Sequence, residues 1–185
     1  MAPVRALLCS RNPHKLAELR AALPGLELEL LEADGYPAED GATYYENARA
    51  KALFGRGRGE PGDWLIGEDS GIEAAALGGR PGVYSARWAD DGVERLLREV
   101  GAADDRRARY VCELVCLTRD GELTGTGILE GTLATAPSGS EGFGYDPIFV
   151  PAGETRTVAA LGDDWKRRNS HRARAARALL AAAPS

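Results

Sequence analysis

Along the chain, short apolar runs alternate with segments in which apolar residues recur every three or four positions. Residues 4–9 (VRALLC) make a run suited to a buried strand, and Leu16, Leu19 and Leu23 follow at helical spacing. Between them, Asn12 and Pro13 stand where a helix cap and a first helical position fall. Residues 26–31 open with Leu/Glu alternation, the pattern of a half-exposed strand. A turn-rich stretch over 34–41 precedes a second helix, roughly 43–54, which the Gly- and Arg-containing residues 55–62 end. Residues 64–67 (WLIG) read as another buried strand. They lead into Glu68, Asp69, Ser70 and Gly71, which read as a polar turn at a strand end, where open α/β sheets usually put their chemistry.

The second half continues differently. Residues 78–89 are Gly-rich and irregular, and 93–100 make a short amphipathic helix. Residues 110–118 and 122–132, joined by a turn over 119–121, read as a β-hairpin, whose antiparallel pairing makes the sheet mixed. Residues 145–151 are a further strand candidate with Asp146 at its mouth, and from Asp163 an Ala- and Leu-rich stretch supplies a final helix. No internal repeat and no long linker interrupt the 185 residues, so the expectation is one α/β domain over 1–185.

Composition narrows the function classes. With 44% apolar and 28% charged residues the chain can bury one sizeable core, yet its longest apolar stretches, 111–117 and 175–183, are too short for a membrane span. The N-terminus lacks the long apolar region and cleavage site of a signal peptide, so secretion is not expected. Cys9, Cys112 and Cys116 are an odd number lying in apolar runs, which suits buried, reduced thiols and a cytoplasmic setting. Cys112 and Cys116 have no second pair to complete a zinc site. A formal net charge of −5 argues against a nucleic-acid partner, so any phosphate must be bound locally. The Gly/Arg alternation over 55–59 is too short for a nucleic-acid-binding tract and reads as a solvated loop.

Lysine is scarce, and Lys15, Lys51 and Lys166 each fall in a segment with other candidate chemistry. Ser10, Arg11, Asn12, Pro13, His14 and Lys15 place a hydroxyl, an amide and a lysine at a helix start, an arrangement able to bind phosphate although it lacks the P-loop pattern. Glu39 and Asp40 precede the second helix, Lys51 lies within it, and Glu68 and Asp69 come from another segment. Carboxylates from two places with lysines nearby are what Mg²⁺ and a polyphosphate require. Glu46, three residues after Thr43, is better read as half of a capping box. Phe143, Gly144, Tyr145 and Asp146 offer rings for stacking on a base, with core packing an equal alternative for Tyr145. Lys166, Ser170, His171 and Arg172 collect donors able to read carbonyl oxygens.

Together these segments resemble the inosine triphosphate pyrophosphatase family. The resemblance is carried by SRNPHK at 10–15, YENARAKA at 45–52, EDSGIEAAALGGRPGVYSARWA at 68–89, GFGYDPIF at 142–149 and SHRARA at 170–175, in the family's order and over nearly the whole chain. It implies an α/β fold with a long mixed central sheet flanked by helices, two lobes with a cleft between them, and a homodimer. It also implies a Mg²⁺-dependent enzyme that cleaves purine nucleoside triphosphates such as ITP, dITP and XTP to monophosphate and pyrophosphate. By the same resemblance Ser10 to Lys15 and Lys51 would hold the triphosphate, Glu39 and Asp69 the Mg²⁺, and Asp69 would accept the proton of the attacking water. Ser70 would touch substrate, and Phe143, Gly144, Tyr145, Asp146, Lys166, His171 and Arg172 would form the base pocket. The family often has two aspartates before Ser-Gly where this chain has Glu68 and Asp69. Two alternatives stand beside this reading: a pyrophosphatase for other modified nucleotides, and a nucleotide-binding regulator that does not hydrolyse.

Overall fold

In a computed structural model that describes residues 4–183, six strands form one mixed sheet in the order β2-β1-β3-β4-β5-β6. The strands are β1 (Val4–Leu8), β2 (Leu26–Leu30), β3 (Trp64–Ala74), β4 (Arg107–Leu117), β5 (Glu122–Leu133) and β6 (Phe149–Pro151). The apolar runs at β1 and β2 pair in parallel, Ala6 opposite Leu28, and β1 also runs parallel to β3, with Leu8 opposite Ile66. β5 and β6 are antiparallel, Leu133 opposite Phe149. The hairpin of β4 and β5 closes where the Thr118 amide donates to the Gly121 carbonyl at 2.8 Å.

Helices α1 (Pro13–Ala22), α2 (Tyr44–Gly55), α3 (Gly92–Val100), α4 (Val158–Leu161), α5 (Asp163–Asn169) and α6 (His171–Ala182) complete the fold. Their starts follow from local chemistry. Asn12 caps α1 ahead of Pro13, and Thr43 and Glu46 form the expected capping box of α2. Three departures from the sequence reading have physical causes. Glu68, Asp69 and Ser70 are not in a turn but continue β3, because the apolar pattern resumes at Ile72 and both carboxylates find cationic partners. The strand expected over 145–151 shrinks to three residues, since Asp146 is held in a turn by the Phe143 amide. The final helix is two, broken at the extended residue Ser170.

The chain divides into two compact units, each discontinuous in sequence. The first takes the residues up to Asp69, Cys112–Gly127 and those from Arg172 on; the second is Ser70–Val111 with Ile128–His171. The first has its core on both faces of its strands. Leu8, Leu19, Ile66, Leu114 and Leu179 pack on one side, and Leu7, Cys9, Ala48, Ala52 and Val115 on the other. Gly67 permits the second layer: a Cβ there would stand 1.8 Å from the Ala48 carbonyl oxygen of α2. The second unit has its own core of Ile72, Leu96, Tyr110, Leu129, Ile148 and Phe149. All three cysteines are buried and free.

Candidate active-site residues

In the first unit, α1, α2 and β3 bring the acidic and lysine positions together. Lys51, one turn after Asn47 on the buried face of α2, donates to the Glu68 carbonyl at 2.9 Å, ion-pairs with Asp69 Oδ1 at 3.4 Å and contacts Glu39 Oε1. Burial opposes the charge on Lys51, but Asp69, Glu68 and Glu39 outweigh it and raise its pKa. Burial raises the Asp69 carboxyl above the usual range, against Lys51 and a hydrogen bond from Asn47. That bond, Asn47 Nδ2 to Asp69 Oδ2 at 2.9 Å, fixes one carboxylate oxygen, while Asn47 Oδ1 accepts the Gly41 amide at 2.9 Å and ties down the loop carrying Glu39. Asp40 is exposed, and Glu46 is engaged in its cap.

A second cluster is built around Glu68, which has no exposed surface. Lys15 Nζ lies 2.5 Å from Oε2, Arg172 Nε donates to Oε1 at 2.9 Å, and the Cys112 thiol stands 3.6 Å from Oε1. Burial works against the Glu68 charge, but Lys15, Arg172 and Lys51 hold its carboxyl well below the usual range. Arg172 Nη1 also reaches Glu18 Oε2 at 3.2 Å, so the cluster alternates two cations with two carboxylates. A buried charge is tolerated only in such company.

In the loop before α1 the expected Asn12 cap takes up the helix-start amides. The amides of His14 and Lys15 bond to Asn12 Oδ1 at 2.9 and 3.3 Å, and the Leu16 amide to the Asn12 carbonyl. These amides are therefore engaged in the cap, and Lys15 contributes its ammonium. Ser10 accepts the Asn12 amide at 3.1 Å; Arg11, Pro13 and His14 are exposed, with the Arg11 guanidinium 5.2 Å from the Tyr36 ring centroid.

The second unit gathers other residues. Lys166 Nζ lies 2.6 Å from Asp146 Oδ2 and 3.9 Å from the centre of the Phe143 ring. Asp146, almost fully buried, also accepts the Tyr110 hydroxyl at 3.2 Å and the Phe143 amide at 2.8 Å. Gly142 is required there: φ is +77°, and a Cβ would lie 2.3 Å from Asp146 Oδ2. His171 stacks on Tyr110 at 4.5 Å with planes 8° apart. Tyr145 sits in the core, its hydroxyl donating to the Ser85 carbonyl at 2.9 Å, so its ring is committed to packing. Gly144 is exposed and Ser70 half-buried.

The first unit thus unites Lys15, Lys51, Glu39 and Asp69 with Arg172, and the second unites Phe143, Asp146, Lys166 and His171. Sequence reasoning assigned no role to Asn47, Glu18 or Tyr110. Asn47 was legible as a polar residue four before Lys51 on one helix face; the other two carry no local signal. Among the described residues no group of three or more His, Cys, Asp or Glu is gathered as a metal cage. Mg²⁺ needs none, since it takes one or two carboxylates and fills its shell with water and phosphate oxygens. The oxygens of Glu39, Asp69 and the Glu68 carbonyl, already drawn around one cation, suit it.

In fold and chemistry this is an α/β protein with a carboxylate–lysine centre in one unit and a lysine–aromatic cluster in the other. The chain belongs to the Ham1 family, whose sequence model matches residues 6–182. It is 42% identical over 193 residues to the dITP/XTP pyrophosphatase of Streptomyces coelicolor, covering 95% of each chain. The solved Ham1 protein of Staphylococcus aureus superposes with a TM-score of 0.83 at 32% identity, covering 96% of each chain. The nucleoside-triphosphatase, or dITP/XTP pyrophosphatase, of Mycobacterium abscessus gives a TM-score of 0.72 at 38% identity, covering 98% of each.

Proposed function

We propose that the chain is a nucleoside triphosphate pyrophosphatase that hydrolyses ITP, dITP and XTP to monophosphate and pyrophosphate, with Mg²⁺ as cofactor, and so removes deaminated purines from the nucleotide pool. The observation that carries the reading is the convergence of Glu39 and Asp69 on Lys51 in a chain whose relatives are named dITP/XTP pyrophosphatases. Bound by Glu39 and Asp69, Mg²⁺ would neutralise triphosphate charge. Lys15 and Lys51 hold the β and γ phosphates and leave the α phosphorus open to water in line with pyrophosphate. Asp69, oriented by Asn47, takes the proton of that water. Ser10 to His14 and Ser70 line the phosphate side, and Arg172 backs Lys15 through Glu68.

The base is read in the second unit. Phe143 stacks on it, and Lys166, held by Asp146, and His171 donate to the 6-oxo group that adenine lacks. Each buried polar mismatch costs about 1–3 kcal/mol, so two would reject ATP by a factor on the order of 10² or more. The chain works as one domain in the cytoplasm and as a homodimer. Those last attributes come from the family resemblance, and sedimentation velocity tests the dimer.

The test is to incubate the protein with ITP, XTP, GTP, ATP and dTTP, with and without Mg²⁺, and resolve the products. Monophosphate and pyrophosphate from ITP and XTP, only with Mg²⁺, are expected. Orthophosphate and a diphosphate would overturn the bond assignment, and no turnover would favour a non-hydrolysing regulator. Asp69→Asn should abolish turnover while sparing nucleotide binding, and Lys166→Met should erode the preference for ITP over ATP; an unchanged rate or ratio removes the residue from its role.

A further inference from the structure

Lys51 is the more heavily bonded of the first unit's two lysines, Lys15 and Lys51. Its ammonium touches oxygens from three sources: the Glu39 carboxylate, the Asp69 carboxylate and the Glu68 main-chain carbonyl. Those are hard oxygen donors arranged around a single cation, the surroundings a divalent ion would take. Two of the three are the proposed ligands of Mg²⁺. The group that occupies their midst belongs to the protein itself, on a four-carbon stem whose side chain is only 9% exposed.

We propose that Lys51 is the resident counter-ion of the metal centre: in the nucleotide-free protein its ammonium holds Glu39 and Asp69 together and competes with divalent metal, and it gives up that place when metal and triphosphate arrive as one unit. This rests on the functional reading above and concerns how the same centre is filled. The charges explain the coupling. The ammonium offsets one of the two carboxylate charges and lies between them, so free metal entering alone must displace or sit against a like charge in a partly desolvated place. A triphosphate entering alone would draw Lys51 away and face two bare carboxylates. When both enter, the carboxylates go to the metal and the ammonium to the phosphate oxygens, and every group exchanges one opposite charge for another. Asn47, bonded to Asp69 Oδ2 and to the Gly41 amide, keeps the carboxylate and the Glu39 loop in place during the exchange.

The experiment titrates Mn²⁺, read by electron paramagnetic resonance and by melting temperature, into the full chain without nucleotide. Wild type is compared with Lys51→Met and Lys51→Gln, the latter keeping a donor for the Glu68 carbonyl. Wild type should bind Mn²⁺ weakly; both variants should bind one Mn²⁺ roughly tenfold tighter or more, with a larger Mn²⁺-dependent rise in melting temperature. Adding Asp69→Asn to Lys51→Met should remove the gain. If a variant does not hold its fold without metal, Mn²⁺ should restore the folded circular dichroism signal. Tight Mn²⁺ binding by wild type, no gain in the variants, or lost structure that Mn²⁺ does not restore would each overturn the proposal. The functional reading falls separately, if wild type fails to cleave ITP while the variants still gain Mn²⁺ affinity.

Discussion

Glu68 shows at the residue scale how a buried charge is made tolerable. Its carboxylate lies between Lys15 and Arg172, with Glu18 balancing the guanidinium on the far side. Removing one member of such a network strands the others, at a cost of about 3–5 kcal/mol. Glu68→Gln should therefore lower the stability measured by urea unfolding by about that amount, and an effect below about 1 kcal/mol would mean the cluster is not the closed set of charges described. The cysteines behave oppositely, because burial without a cationic partner of their own favours the neutral thiol. Cys9 and Cys116 are pushed up to about 12 and Cys112 well above its ordinary value, in each case chiefly by burial. Thiolate forms only as pH approaches those values, so iodoacetamide at pH 8 should leave all three unmodified until the chain is unfolded. Rapid native labelling of any of them would contradict the burial.

Among the elements, α2 and β3 set the acidic centre, and the distance between them depends on one missing side chain. With a Cβ at Gly67 placed 1.8 Å from the Ala48 carbonyl oxygen and 2.8 Å from the Ala52 amide, helix and strand would have to separate. Gly67→Ala should cost about 3 kcal/mol and, because α2 carries Asn47 and Lys51, lower kcat/KM for ITP as well. A stable variant with full activity would show that the contact can relax without moving the lysine. The capping box is worth less: Thr43→Ala should cost about 1 kcal/mol, read from the urea midpoint, with little effect on turnover. Past the break at Ser170, the boundary between the units falls inside the first turn of α6: His171 belongs with Lys166 of α5 in the second unit and its neighbour Arg172 to the first.

For the whole molecule, a net charge of −5 means that phosphate recognition is local. The protein should pass through a duplex-DNA column at about 0.1 M salt, and salt-sensitive retention would point to a basic surface that the sequence does not suggest. The acidic centre and the lysine–aromatic cluster lie in separate units with separate cores, so a core truncation such as Phe149→Ala should disturb base preference before phosphate binding.

Most of the strand and helix order is legible in the sequence, because that order is written in local periodicity and in caps such as Asn12-Pro13 and Thr43-x-x-Glu46. The family was legible there too, because several spaced motifs stand in order between residues 10 and 175, and the family model matches residues 6–182. Which charges meet is settled by the folded arrangement alone. Glu18 lies 154 residues from Arg172, and Glu68 lies 104 from it, separations at which no local pattern can pair a carboxylate with its cation. The same holds for Glu68 and Asp69 as strand rather than turn. Locally they are two acidic residues before Ser-Gly, and what makes the extended conformation stable is the lysines and arginine that folding brings to them from α1, α2 and α6.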